Sequence, residues 1–147
     1  MSAVKGFNEF IKNRIVKLQT PDKSRAEFLI KEAENSYRLL LELIKKIKLD
    51  DDNANMFVKS CYDSLMELIR AKMLLEGYNA SGFGAHEAEV SYLRALQFSE
   101  NDVQFADQIR FFRNGMLYYG TALDKEYAVK VIEFTKRVYP RLLEKLK

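Results

Sequence analysis

Ala26, Leu29, Ile30, Ala33, Tyr37, Leu40, Leu41, Ile44 and Ile47 recur at intervals of mostly three and four residues. Residues so spaced share one face only if the chain is coiled as an α-helix. A helix with so long an apolar stripe must lay it against other helices. This helix is expected to start at Thr20-Pro21, with Thr20 as N-cap and Pro21 at the first helical position, and to continue to about Lys48. The same period runs through the rest of the chain. Val4, Phe7, Phe10, Ile11, Ile15 and Leu18 predict a first helix from about Ser2 to Leu18. Phe57, Cys61, Leu65, Leu68, Ile69 and Leu75 predict a third from about Ala54 to Glu76, closed by Gly77. Asn79 to Ala85 reads as a flexible loop, followed by a short helix from about His86 to Phe98. Ser99 with Asp102 resembles a capping box ahead of a fifth helix. Asp124 caps a sixth, striped by Ala128, Val131, Ile132, Val138, Leu142 and Leu146, in which Pro140 should kink the helix or shift its last turn.

No strand alternation, internal repeat or interdomain linker interrupts this pattern. Long helices joined by short turns predict an all-α, antiparallel bundle of four to five helices with an additional N-terminal helix. Its 147 residues fit a single helical domain, with the extra helix over 1–20 and the bundle over 22–147. A net charge of +3, from 24 basic against 21 acidic residues, is too small to argue nucleic-acid binding by itself. Any such argument must rest on where the charge sits.

Several kinds of chemistry are missing from the sequence. It holds no Gly-rich phosphate loop, zinc spacing or nucleophile elbow. Cys61 is the sole cysteine and His86 the sole histidine. Cys61, among apolar residues of a helical segment, reads as a small core hydrophobe. Asp50-Asp51-Asp52-Asn53 lacks EF-hand spacing and reads as a solvated cap suited to the positive end of the next helix. No metal site and no cofactor are expected. No apolar run approaches membrane-spanning length, and Met1 to Gly6 lacks the apolar core of a secretion signal. A cytoplasmic protein with no membrane partner is expected, consistent with its unpaired cysteine.

The segment from Arg110 to Gly120 differs from the other helices. Two arginines, Asn114 and the adjacent Tyr118 and Tyr119 crowd its end. Arg110 and Arg113, three residues apart, share a face. Phe105, Ile109, Phe112 and Met116 form the buried stripe, and Gly120 closes the helix as C′ glycine. Arg113 lies beside the stripe, which lets it line a groove. The competing reading is that both arginines snorkel from a core helix whose tyrosines cap the core.

Tyr62 to Gly77, then a short loop and His86, resembles the central helix and turn of HEPN domains. Arg113-Asn114 followed by Tyr118-Tyr119-Gly120 resembles that family's signature, and the helix from Asp124 to Lys147 resembles its closing helix. The resemblance implies a small, commonly dimeric helical bundle. Many such proteins are metal-independent ribonucleases or RNA- or nucleotide-binding modules. They are often toxins or immunity factors paired with a small nucleotidyltransferase. The family's active motif is Arg, four residues, then His. Carried over, Arg113 takes the arginine position and Tyr118 the histidine position, the two catalytic candidates. A histidine of pKa about 6.5 accepts a proton from a ribose 2′-hydroxyl at neutral pH, whereas a tyrosine of pKa about 10 is a poor base. Tyrosine can still donate to phosphate or stack on a base. The resemblance thus implies a homodimeric RNA- or nucleotide-binding module using Arg110, Arg113, Asn114, Tyr118, Tyr119 and His86, with weak or no ribonuclease activity. The alternatives are an active metal-independent ribonuclease of a toxin or defence type, and a helical interaction partner of a small nucleotidyltransferase.

Overall fold

The computed structural model describes residues 3–120 and 122–147, leaving out the side chains of residues 116–119. Among the described residues are six α-helices: α1 (Phe7–Lys12), α2 (Lys23–Lys46), α3 (Ala54–Leu75), α4 (Ala85–Ser91), α5 (Glu100–Tyr119) and α6 (Lys125–Lys145). A short 3-10 turn, Tyr92–Arg94, follows α4. Two strands, β1 (Val16–Leu18) and β2 (Tyr78–Ala80), pair antiparallel with Val16 opposite Ala80 and Leu18 opposite Tyr78.

A few hydrogen bonds fix the helix directions. The Asp22 N–H donates to the Leu74 carbonyl at 3.0 Å, so the start of α2 meets the end of α3. Arg137, late in α6, donates to Asp102, early in α5, at 2.7 Å. Tyr127, early in α6, donates through its hydroxyl to Gln108 at 3.0 Å. Leu123 and Lys125 donate their N–H groups to Asn55 and Asp51, both at 2.8 Å, which sets the start of α6 beside the start of α3. Helices α2, α3, α5 and α6 therefore alternate in direction as an antiparallel bundle.

Helix α3 is the central one. Cys61, Tyr62, Ser64, Leu65 and Met66 are all buried, so most of its circumference is covered over that stretch, with Asp63 left half exposed. Phe57, Leu68 and Ile69 are almost wholly inaccessible, each contributing about 1.5–3 kcal/mol by burial. The buried hydroxyls of Ser64 and Thr135 donate to the carbonyls of Ser60 and Val131, one turn back. Burial pushes the Cys61 thiol up to about 11, as suits a small core hydrophobe.

Four boundary expectations need correction. The helix expected over Ser2 to Leu18 is α1 alone. It stops at Asn13, Arg14 turns the chain with φ 62°, and Val16–Leu18 becomes a strand. Val4, Phe10 and Val16 are still buried in the main core, so the apolar positions were meaningful although the helical period was not. Thr20 and Pro21 precede α2 rather than open it. Asp22 is the N-cap, its side chain accepting from the Arg25 N–H at 3.1 Å. Gln19 N–H is already committed to the Gly77 carbonyl, and the chain before a proline favours an extended path. That approach explains Gly77, whose φ is +85° and where an added Cβ would stand 2.8 Å from the Gln19 oxygen. The segment from Asn79 onward is not all loop, because Tyr78–Ala80 pairs with β1. The helix expected from His86 to Phe98 breaks after Ser91 into the 3-10 turn, and Gln97 turns with φ 70°.

Other expectations hold. Ser99 and Asp124 cap α5 and α6 by accepting from the Asp102 and Tyr127 N–H groups. The Asp102 carboxylate, however, is held by Arg137 instead of reaching back to close a capping box. Gly120 ends α5 in the left-handed conformation, φ 67°. Asp50 accepts the N–H groups of Asp52 and Asn53, both at 2.9 Å, while Asp51 serves the start of α6 instead of α3. Helix α6 continues through Pro140. Pro140 and Lys136 both lie on the exposed side, where water can satisfy the carbonyl that the missing N–H leaves free. Among the described residues, no helix is long and apolar enough to cross a membrane.

Candidate functional site

The start of α4 and the second half of α5 form the two walls of a groove of about 730 Å³. His86 and Glu87 stand on one wall, Arg110 and Asn114 on the other, and Phe83 lies at the edge. Three of the residues expected at the site, His86, Arg110 and Asn114, thus meet across it. Glycines 82 and 84 flank Phe83, and Gly84 enters α4 with φ 89°. This turn holds the Phe83 ring completely in solvent, at 101% relative exposure. A fully solvated phenylalanine forgoes about 1.5–3 kcal/mol of burial, so it contributes nothing to the core.

His86 is the second residue of α4, and Glu89 follows it by almost one turn. Its Nδ1 lies 3.3 Å from Glu89 Oε1, while His86 itself remains half exposed. The Glu89 side chain is only 2% exposed, yet it is fully engaged. Arg70, projecting from α3, donates through Nε to Oε2 at 2.7 Å and through Nη2 to Oε1 at 3.0 Å. Burial works to raise the Glu89 pKa, but the hydrogen bonds from His86 and Arg70 outweigh it and hold the carboxyl below its ordinary value. A buried carboxylate clamped from behind therefore faces Nδ1 of an imidazole that lines the groove.

Arg110 donates through Nε to Asp107 Oδ1 at 2.6 Å. Asp107 is buried, so this pair sets the guanidinium against the wall of the groove. Its terminal amino groups have no hydrogen-bond partner among the described residues, and they supply the donors a phosphate needs.

Arg113 is placed differently. Its guanidinium lies over the Tyr62 ring, 5.4 Å from the centroid, and Nη2 reaches Asp63 at 3.3 Å. Its buried Nε has no partner among the described residues. Arg113 thus packs α5 onto α3 and is not part of the groove lining. Tyr62 links the two arrangements, its ring centroid lying 6.4 Å from that of His86. Burial drives the Tyr62 hydroxyl pKa far up, so it is neutral. The side chains of Tyr118 and Tyr119 lie outside the described residues.

Sequence reasoning missed Phe83, Glu89, Arg70 and Asp107. Gly82-Phe83-Gly84 carried a readable signal, a bulky ring between two residues that favour turns. So did the three-residue spacing of His86 and Glu89 in a helix. Arg70 had none, because its partner is brought to it only by the fold.

No protein-family model, curated protein or solved structure matches the chain. What the fold and the groove define is an α-helical bundle with one cleft that combines a solvated aromatic ring, an arginine, an amide and a braced histidine.

Proposed function

We propose that the chain is a HEPN-like module that binds single-stranded RNA in the groove between α4 and α5. The observation that carries this reading is the pairing of Phe83, wholly exposed, with Arg110 and Asn114 across one cleft. A nucleotide has an apolar face and an anionic phosphate, and a ring beside a guanidinium meets both. Asn114 adds donors and an acceptor for a base edge or sugar. Glu87, in the same groove, disfavours dense phosphate and limits the number of phosphates the site can hold. Free nucleotides share the recognised chemistry and compete with RNA. A homodimer belongs to the same reading, and Phe111, beside Arg110 and 54% exposed, offers apolar surface for it.

Fluorescence anisotropy with a labelled single-stranded RNA tests the proposal. Binding is expected to be weak to moderate and to weaken as salt rises, since each phosphate bound releases counterions. Phe83→Ala should weaken it by about 5- to 100-fold, the loss of one base–aromatic stack. The melting temperature should stay the same, because Phe83 packs on nothing. Unchanged affinity in Phe83→Ala, or no binding at low salt, would overturn the reading.

A further inference from the structure

We infer that the groove selects guanine among the bases of single-stranded RNA, and that Glu87 is the residue that selects it. The inference deepens the RNA-binding reading above and rests on it. Stacking on Phe83 takes any base, because every base has a π-face. Selection therefore falls to the polar side chains that line the groove, which among the described residues are His86, Glu87, Arg110 and Asn114. Of these, Glu87 is the one that as a carboxylate can only accept hydrogen bonds. Glu89 and Asp107, the buried acids behind the two walls, are each held by an arginine. The half-buried Glu87 has no such partner among the described residues, although Arg110 and His86 line the same cleft. Its place in the first turn of α4 suits the helix dipole, but that role does not require it to line a cleft that takes phosphate. An acceptor without a donor, four residues past the ring on which a base stacks, is left for the edge of that base.

Two carboxylate oxygens side by side match two donors side by side. Guanine presents N1–H and its 2-amino group at adjacent positions of the Watson–Crick edge, so both oxygens are paired. Adenine sets its amino group beside the N1 lone pair, and cytosine sets its own beside the N3 lone pair. In uracil a single N–H stands between two carbonyls. Each of these three would bring a lone pair against the carboxylate, which costs affinity as well as a hydrogen bond. Arg110 is left to the phosphate and Asn114 to the sugar or to the guanine O6, to which its amide can donate. The same carboxylate that disfavours dense phosphate thus gives the site its choice of base.

The test uses the full chain and labelled pentamers of uridine whose central base is varied. With guanine there, the parent should bind about 5- to 150-fold more tightly than with adenine, cytosine or uracil, the discrimination of one good bidentate pair. Hypoxanthine keeps N1–H but lacks the 2-amino group, and should forfeit most of that advantage. Guanine with N7 replaced by carbon keeps both donors, and should retain it. Glu87→Gln should erase the preference for guanine, bind the other three strands at least as tightly as the parent does, and melt as the parent does. A purely structural Glu87 would move stability and leave the ranking of bases alone. Equal binding of the four strands by the parent would overturn this inference but not the binding reading. So would a Glu87→Gln variant that keeps the parent's ranking, or a preference that vanishes when N7 is removed, since Arg110 or Asn114 would then be the reader. Failure of the parent to bind any strand, or guanosine 5′-monophosphate binding as tightly as the guanine pentamer, would instead overturn the RNA reading on which the inference rests.

Discussion

Arg70→Ala is expected to lower the unfolding free energy by about 3–5 kcal/mol at neutral pH, the cost of stripping one partner from a buried ion pair. The loss is large because Glu89, at 2% exposure, would keep only a half-exposed histidine as its polar neighbour. In a chain of this size that corresponds to a drop in Tm of roughly 10–16 °C. The pH dependence has a definite sign. Glu89 is held below its ordinary pKa of 4.5, so the pair's contribution is complete above that pH and fades as pH falls through the lower folded value. In the variant, burial dominates and the carboxyl protonates more readily. The deficit relative to the parent should therefore be greatest near pH 7 and shrink as pH falls toward about 4.5 and below. Adding Glu89→Gln to Arg70→Ala should recover part of the loss at pH 7, because no charge is then left buried. Urea melts of the three proteins at both pH values check this. A change under about 1 kcal/mol for Arg70→Ala would mean that water reaches Glu89 and the brace is not tight.

Arg110→Ala is expected to weaken RNA binding by about 10- to 100-fold at low salt, the scale of one charge-assisted hydrogen bond. The slope of log affinity against log salt should fall by about 0.7 for each phosphate that the variant no longer neutralises. Asp107 is buried and would be left without its arginine, so the variant should also melt earlier. Binding must accordingly be measured well below both melting temperatures. Arg113→Ala gives the opposite balance. Its guanidinium lies on Tyr62 and against Asp63 between two helices, so stability should suffer more than affinity. If Arg113→Ala removed binding while Arg110→Ala spared it, the phosphate would sit on α5's inner face and not in the groove.

The helices that were legible in the sequence are those whose own residues determine them. The stripes of α2, α3 and α6 need no distant partner to be recognised, and Ser99, Asp124 and Gly120 mark helix ends by local hydrogen bonding. The N-terminal segment was misread because its strand exists only through pairing with Tyr78–Ala80, far along the chain. Val4, Phe10 and Val16 are apolar for the same reason in either conformation, namely burial, so spacing alone could not separate helix from strand. The site divides in the same way. His86, Arg110 and Asn114 could be singled out as residue types, and the fold sets all three around one groove. Phe83 was hidden in a segment read as loop, although its two glycines favoured an exposed tip. Arg70 and Asp107 do their work by meeting groups that only the folded chain brings near or buries, and nothing in their neighbours' identity announces it.

The claim on which the rest depends is that RNA enters between α4 and α5. Backbone NMR shifts recorded while a short single-stranded RNA is added test it most directly. The account predicts that the earliest and largest changes fall on residues 82–87 and 107–114, with the Phe83 ring resonances moving upfield as a base stacks on them. Changes centred instead on the groove between α2 and α6, around Tyr37 and Tyr139, with residues 82–87 silent at saturation, would contradict it.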